Sequence, residues 1–306
     1  MHAAAVLPSP HTTTAAVPPQ PRAPQPHRIA LVLGSGGVRS AAAIGIADRL
    51  AREGVRPDLI VGCSSGALFG ALIALQLNAR EALEMSIALW SPELTQQKRW
   101  RALAQLVAPR LTGFGADFAL RDTRLIAERL RCAFGDLQVD QLATPLRVVA
   151  TEAATGRRVV IERGRVVDAL LASMAVPFLF PSVEIDGRRL VDGVVSDPLP
   201  VGVAHDADVV LALGFNGAMP RRPNCAKRLA AQATTAIVNN LMQARLDAAR
   251  AHGQTIIDLK LPLQRRIGLW ETAAIAQVCE AGRDAAAACL PQLWDALQER
   301  QARPLH

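Results

Sequence analysis

Arg28-Ile29-Ala30-Leu31-Val32-Leu33-Gly34-Ser35-Gly36-Gly37 and, one helix later, Asp58-Leu59-Ile60-Val61-Gly62-Cys63-Ser64-Ser65-Gly66 decide how this chain folds. Each stretch is a short apolar run that enters a glycine turn, the pattern of a buried strand. A helix is expected between them from about Val38 to Glu53, closed by Gly54 and blocked from continuing by Pro57. Strand, helix, strand is a βαβ unit, and its right-handed crossover makes the two strands parallel. Both glycine turns therefore open on one edge of a sheet, where a site is expected.

Further along, Leu146 to Thr151, Arg158 to Ile161, Val209 to Gly214 and Thr255 to Leu259 read as strands, with helical stretches between and after them. The alternation predicts an α/β sandwich of one domain over residues 28–306. Leu59 to Leu77 carries no charge and resembles a membrane span. Gly62, Gly66, Gly70 and the polar Cys63-Ser64-Ser65 argue instead for a buried strand, a sharp turn and a buried helix.

The chain has 306 residues, half of them apolar, and a formal charge of +7. That length buries a sizeable core, and the charge favours anionic partners without choosing among phospholipid, nucleic acid and acidic metabolites. Residues 1–27 are rich in Pro, Ala and Thr and contain no acid, which predicts a disordered tail; a transit peptide would need the amphipathic helix that these prolines oppose. Cys63, Cys132, Cys225, Cys279 and Cys289 form no C-x-x-C pair, so a zinc knuckle or disulfide framework is not indicated and a reducing, cytoplasmic location is expected. From Trp90 to Phe134 a helical segment carries Lys98, Arg99, Arg101, Arg110, Arg121, Arg124, Arg129 and Arg131, which outnumber its acids. It reads equally as a solvated face or as a surface for peripheral contact with anionic membrane.

Gly62-Cys63-Ser64-Ser65-Gly66 matches G-x-S-x-G in the strand-to-helix setting of a nucleophile elbow, although an ordinary Gly/Ser turn would look the same. The flanking Gly62 and Gly66 admit strained backbone, and the next helix points its positive end at the serine. Cys63 reads as a core filler. The first turn is not a dinucleotide site: Arg39 stands at its last position, and the second strand ends without the acid that holds a ribose. Its backbone N–H groups at Gly36 and Gly37, with Val38 adjoining, are instead candidates for an oxyanion hole. A serine needs a base. His205 and His252 are the histidines that remain for a triad, and each reads better as structural or solvated. Asp192-Gly193, after the hairpin-like stretch around Asp186-Gly187, offers a carboxylate, or is simply a second turn.

Four blocks carry a resemblance: Leu33-Gly34-Ser35-Gly36-Gly37-Val38-Arg39; Gly62-Cys63-Ser64-Ser65-Gly66; Val149-Ala150-Thr151-Glu152 with Thr155-Gly156; and Ala172-Ser173-Met174-Ala175-Val176-Pro177-Phe178-Leu179-Phe180-Pro181 leading into Val191-Asp192-Gly193. Together they resemble the patatin-like phospholipase family over about Arg28 to Gly282. The resemblance implies a three-layer α/β/α sandwich on a mostly parallel sheet and a lipid acyl hydrolase that uses a Ser-Asp dyad without histidine, metal or organic cofactor. Ser64 would be nucleophile, Asp192 base, Gly36, Gly37 and Val38 the oxyanion hole, and Arg39, Gly62, Gly66 and Gly193 supports. Ser35 and Ser40 stand where the family has glycine, Val194 where a second glycine follows the aspartate, and Asp197, where asparagine is common, is expected to bear on substrate choice. The implied partner is a lipid acyl ester, and no nucleic acid is expected. The rivals are a triad esterase, a non-catalytic or regulatory lipid-binding protein on the same fold, and a nucleic-acid binder using the basic helices.

Overall fold

The computed structural model describes residues 28–91, 93, 102, 105, 115, 118–219 and 224–301. The expected tail at 1–27 and most of the first half of the basic segment, including Lys98, Arg99, Arg101 and Arg110, lie outside the described residues.

All five residues of β1 (Ile29–Leu33) are buried, because the strand has neighbours on both edges and packed layers on both faces. It pairs in parallel with β2 (Leu59–Cys63) and with β7 (Val209–Leu213). β2 pairs in parallel with β3 (Leu146–Glu152), and β7 with β8 (Thr255–Asp258). Strands buried on both sides tolerate no polar alternation, which is why these segments read as continuous apolar runs. Antiparallel strands complete the sheet: β4 (Arg158–Ile161) on β3, and the hairpin β5 (Val183–Ile185) and β6 (Arg188–Asp192). Asp186 and Gly187 turn that hairpin with φ of 51° and 71°, the left-handed pair that a two-residue hairpin loop requires.

Alternate residues of the central strands feed two cores. Leu31, Leu33 and Ile60 pack beneath α1 (Ala42–Arg52), α2 (Ser65–Ala74), α3 (Ala79–Leu89), α4 (Arg124–Phe134), α5 (Val166–Ser173) and α7 (Ile275–Gln301). Ala30, Val32 and Val61 pack on the other face against Val201, Val203 and the inner side of α6 (Ala226–Ala251) at Met242, Leu246 and Ala249. This is an α/β sheet flanked by helices on both faces, as the resemblance implies. The uncharged run Leu59 to Leu77 is divided between β2 and α2, and among the described residues no helix is long and apolar enough to cross a membrane. The helix expected from Val38 begins later, at Ala42, after a 3-10 turn over Gly37–Ala41. Gly37 takes φ +60° and the Val38 N–H goes to Leu269 O at 2.9 Å, so the chain enters the helix through a tightened turn.

The register of β3 places the site. Val149 pairs with Cys63 of β2 on one edge and with Val160 of β4 on the other. Ala150 pairs with Val159 of β4 and with Asp192 of β6. Since β4 holds one edge throughout, β2 and β6 share the other: β2 runs along it to Val149, and β6 arrives head-on from Ala150 outward. The carboxyl ends of both strands therefore meet, and the residues that leave them are Ser64 and Asp192.

Candidate functional site

Ser64 sits on the turn between β2 and α2 with φ 56° and ψ −127°, a conformation that a non-glycine residue adopts only under constraint. The constraint is visible. Its N–H donates to Ser173 Oγ at 2.8 Å, and that hydroxyl donates onward to Val149 O at 2.6 Å, which ties the elbow to β3. A Cβ at Gly66 would lie 2.3 Å from Leu33 O, so only glycine lets α2 start against β1. Gly62 and Gly193 are equally crowded, the latter with Val149 O 2.4 Å from a would-be Cβ. As N-cap residue of α2, Ser64 also stands at the positive end of that helix.

Ser64 Oγ donates to Asp192 Oδ2 at 2.7 Å. Asp192 is completely buried, and every one of its polar atoms is engaged. Oδ1 accepts the Val194 N–H at 2.8 Å, the backbone N–H donates to Ala175 O, and the backbone carbonyl accepts Thr151 Oγ1, itself bonded to Ser196 Oγ. Burial pushes the carboxyl up to about 7, against the opposing pull of the Val194 N–H and the Ser64 hydroxyl. Val194 is thus accommodated where the family has glycine: it lies in a 3-10 turn over Gly193–Val195 and uses its N–H to hold the carboxylate.

The loop facing this pair is braced from below. Gly36 N–H donates to Ser65 Oγ at 3.1 Å, which is paired with Ser40 Oγ at 2.9 Å, and Ser40 also donates to Gly34 O. The serine at position 40 therefore props the loop through a hydroxyl that glycine lacks. Ser35 keeps a negative φ and gives its N–H to Pro198 O, so the loop tolerates a side chain there. Arg39 packs over the Phe215 ring at 4.9 Å and donates to Gly36 O and Asn216 O, and burial lowers its pKa. Of the three expected oxyanion donors, the N–H of Gly36 is taken by Ser65, that of Val38 by Leu269, and that of Gly37 by none of the described residues.

Around these groups lies a cavity of about 450 Å³. Ser64, Asp192 and the Ser35–Gly37 loop form its polar end, and Leu68, Leu89, Trp90, Ile126, Leu130, Met174 and Phe180 its apolar walls. Trp90 stacks on Trp270 at 4.8 Å and 8°. The described part of the basic segment thus turns an apolar face to the cavity through Ile126 and Leu130 of α4. The histidines stay apart: His252 caps α6 through Ala248 O, and neither it nor His205 lines the cavity. Asp197 does not line it either; it is buried behind the Asp192 turn, paired with Arg158 at 2.6 Å, so a direct bearing on substrate choice has no contact to act through. Cys63 is fully buried with its thiol pushed well up by burial, as a core filler would be. Among the described residues no group of three or more His, Cys, Asp or Glu is placed to hold a metal ion. Sequence reading assigned no role to Ser173, Ser65, Thr151 and Ser196, whose hydroxyls hold the elbow and the aspartate; isolated serines far apart in the chain carry no signal of such a network.

Comparison with known proteins gives a family profile described as patatin-like phospholipase, matched over residues 31–205. An uncharacterized NTE family protein of Mycobacterium tuberculosis is 34% identical over 192 residues, covering 62% of this chain and 49% of that protein. Patatin-like phospholipase domain-containing protein 7 of Rattus norvegicus is 30% identical over 190 residues, or 60% of this chain and 13% of that one. The chain matches about half the length of the mycobacterial relative and a smaller share of the rat protein. Among solved structures, VipD from Legionella pneumophila gives a TM-score of 0.47 at 15% identity, covering 87% of this chain and 67% of that one.

Two outcomes follow from the buried aspartate and its supports. The Asp192 carboxyl holds its proton more tightly in the folded state, so its contribution to stability is whole below pH 3.8 and is lost as pH rises through about 7. Asp192→Asn keeps an oxygen for the Val194 N–H and turns the bond with Ser64 around, its amide donating to Oγ, without the buried charge. It is expected to raise stability by about 3 kcal/mol above pH 7 and to change little near pH 4, measured by thermal melts across that range. Ser173→Ala orphans the Ser64 N–H and the Val149 carbonyl and is expected to cost about 1–3 kcal/mol in the same melts.

Proposed function

The chain belongs to the patatin-like phospholipase family, and from that premise we propose that it hydrolyses lipid acyl esters with Ser64 as nucleophile and Asp192 as the general base. The observation that carries this reading is the 2.7 Å hydrogen bond from Ser64 Oγ to a carboxylate whose pKa sits at about 7. A base is most useful when its pKa lies near the working pH, since it is then ionised yet strong enough to take the proton.

In the proposed reaction the ester carbonyl enters at the polar end of the cavity with its acyl chain along Leu68, Leu89, Ile126 and Leu130. Ser64 Oγ attacks the carbonyl carbon while its proton passes to Asp192 Oδ2. The oxygen that becomes negative is held by the Gly37 N–H, with the N-terminal end of α2 adding positive potential. Collapse of the tetrahedral intermediate breaks the ester C–O bond, and the leaving alcohol takes the proton from Asp192. Water then gives a proton to Asp192 and attacks the acyl-Ser64 carbonyl; the proton returns to Ser64 Oγ as the fatty acid leaves. Val38 joins the hole only when Leu269 O releases its N–H. A mostly apolar enclosure strengthens each of these electrostatic interactions.

Turnover of a soluble short-chain ester is expected to fall about a thousandfold in Ser64→Ala and in Asp192→Asn, and a fluorophosphonate probe is expected to label the wild type and not Ser64→Ala. Unchanged turnover in both variants would falsify the assignment. For the wild type, kcat/KM should rise with pH through an apparent pKa near 7, because Asp192 must lose its proton to act as base. A profile flat from pH 5 to pH 9 would remove Asp192 from that role.

A further inference from the structure

The cavity opens among side chains that water does not favour. Phe178 is 70% exposed, Ile237 66%, Leu229 59%, Leu269 51% and Val195 47%. They come from four separate segments, and each either lines the cavity or sits within two residues of one that does: Val176 and Phe180 flank Phe178, Val194 precedes Val195, Ala231 stands two residues after Leu229, Val238 follows Ile237, and Leu269 lines it directly. Phe178 is held outward at φ +65°, a left-handed conformation that an aromatic residue adopts only when its surroundings impose it. The imposing contacts are present, since Phe178 O accepts the Leu120 N–H at 2.9 Å.

Helix α6 is the largest part of this rim. Ala231, Thr234, Thr235 and Val238 turn to the cavity, while Leu229, Ala233 and Ile237, spaced four residues apart, form an exposed stripe on the helix. None of its residues from Leu229 to Leu241 is buried, yet Leu229 to Ala244 carries no charge. An unburied, uncharged helix is poorly matched to water. Its charge pattern is one-sided as well: from Val209 to Leu246 the sequence contains no acid but includes Arg221, Arg222, Lys227 and Arg228, and of these the exposed Arg228 lies in the first turn of the helix. An apolar stripe bordered by cations and free of acids is the composition of a helix that lies in the headgroup layer of anionic lipid.

We infer that the first half of α6, with Phe178, Val195 and Leu269 around the same opening, docks the protein on an anionic phospholipid bilayer with the cavity mouth facing the lipid. The inference adds a surface to the proposed hydrolase reading and relies on it only for the purpose of docking. The apolar side chains would replace water contact with the acyl boundary, and Arg228 would meet headgroup phosphates. A lipid ester could then enter the cavity without crossing water.

The test is cosedimentation of the full chain with vesicles of ether-linked phosphatidylcholine and phosphatidylglycerol at 7:3, which no esterase can hydrolyse, beside vesicles of the phosphatidylcholine analogue alone. Wild type and Ser64→Ala are expected to bind the anionic vesicles alike and the neutral ones more weakly, so docking is read whether or not Ser64 is a nucleophile. The double variant Leu229→Asp, Ile237→Asp is expected to bind at least about tenfold more weakly with an unchanged thermal melt. Ile237→Trp provides a second reading, with a blue shift of emission on anionic vesicles larger than that of the wild type. Wild type that stays in the supernatant, a double variant that binds as wild type does, or a tryptophan without the added shift would each overturn the inference. So would a wild-type dimer in gel filtration that the double variant dissolves without vesicle binding, because the patch would then face a second copy of the chain.

Discussion

Everything at the site depends on one edge of β3 being shared by two strands. Between Val149 and Ala150 the edge passes from β2, parallel, to β6, antiparallel, while β4 holds the opposite edge without interruption. Two strand ends cannot overlap on one edge, so β2 must leave the sheet at Cys63 and β6 must leave at Asp192. A slip of one residue in either register would send a side chain to the other face of the sheet. The hydrogen bond between Ser64 and Asp192 is thus a product of sheet register and not of any local affinity between the two segments.

Such a junction is costly, and the surroundings offset the cost in two ways. The strained backbone at Ser64 and the orphaned groups at two strand ends are met by small hydroxyls: Ser173 between Ser64 and Val149, Thr151 and Ser196 behind Asp192, Ser40 and Ser65 beneath the glycine loop. Short side chains reach such groups without displacing the packing around them. The buried charge is treated differently. Arg158 and Arg245 approach Asp197, behind the turn, and leave the Asp192 carboxyl with a hydroxyl and one backbone N–H as its partners. With no cation among the described residues to favour its ionised form, Asp192 is raised by burial, whereas a paired carboxylate such as Asp206 is lowered by Arg147 to about 2.

Legibility in the sequence followed the range of the interactions. β1, β2 and the turn after each were readable because a strand buried on both faces leaves an uninterrupted apolar run, and glycine marks the points of close approach. The β5–β6 hairpin was readable from Asp186-Gly187, a local conformational requirement. The start of α1 was placed too early, since the 3-10 turn over Gly37–Ala41 answers to Leu269, a residue from a distant loop. That same contact occupies the Val38 N–H, which no reading of the glycine loop by itself discloses. The resemblance gave Asp197 a bearing on substrate choice because asparagine is common at that position, and the fold turns it inward toward Arg158.

By itself the sequence determined the alternation of strands and helices, the bend at Ser64 and the acidic turn at Asp192, because apolar periodicity and glycine placement act over a few residues. Only the tertiary structure decided that these two side chains meet, that Asp192 is dry enough to hold its proton to about pH 7, and that Ser173 and Leu269 reach the elbow and the loop. The reason is physical: register across a sheet and exclusion of water are properties of the whole packed molecule, set by contacts between residues more than a hundred positions apart.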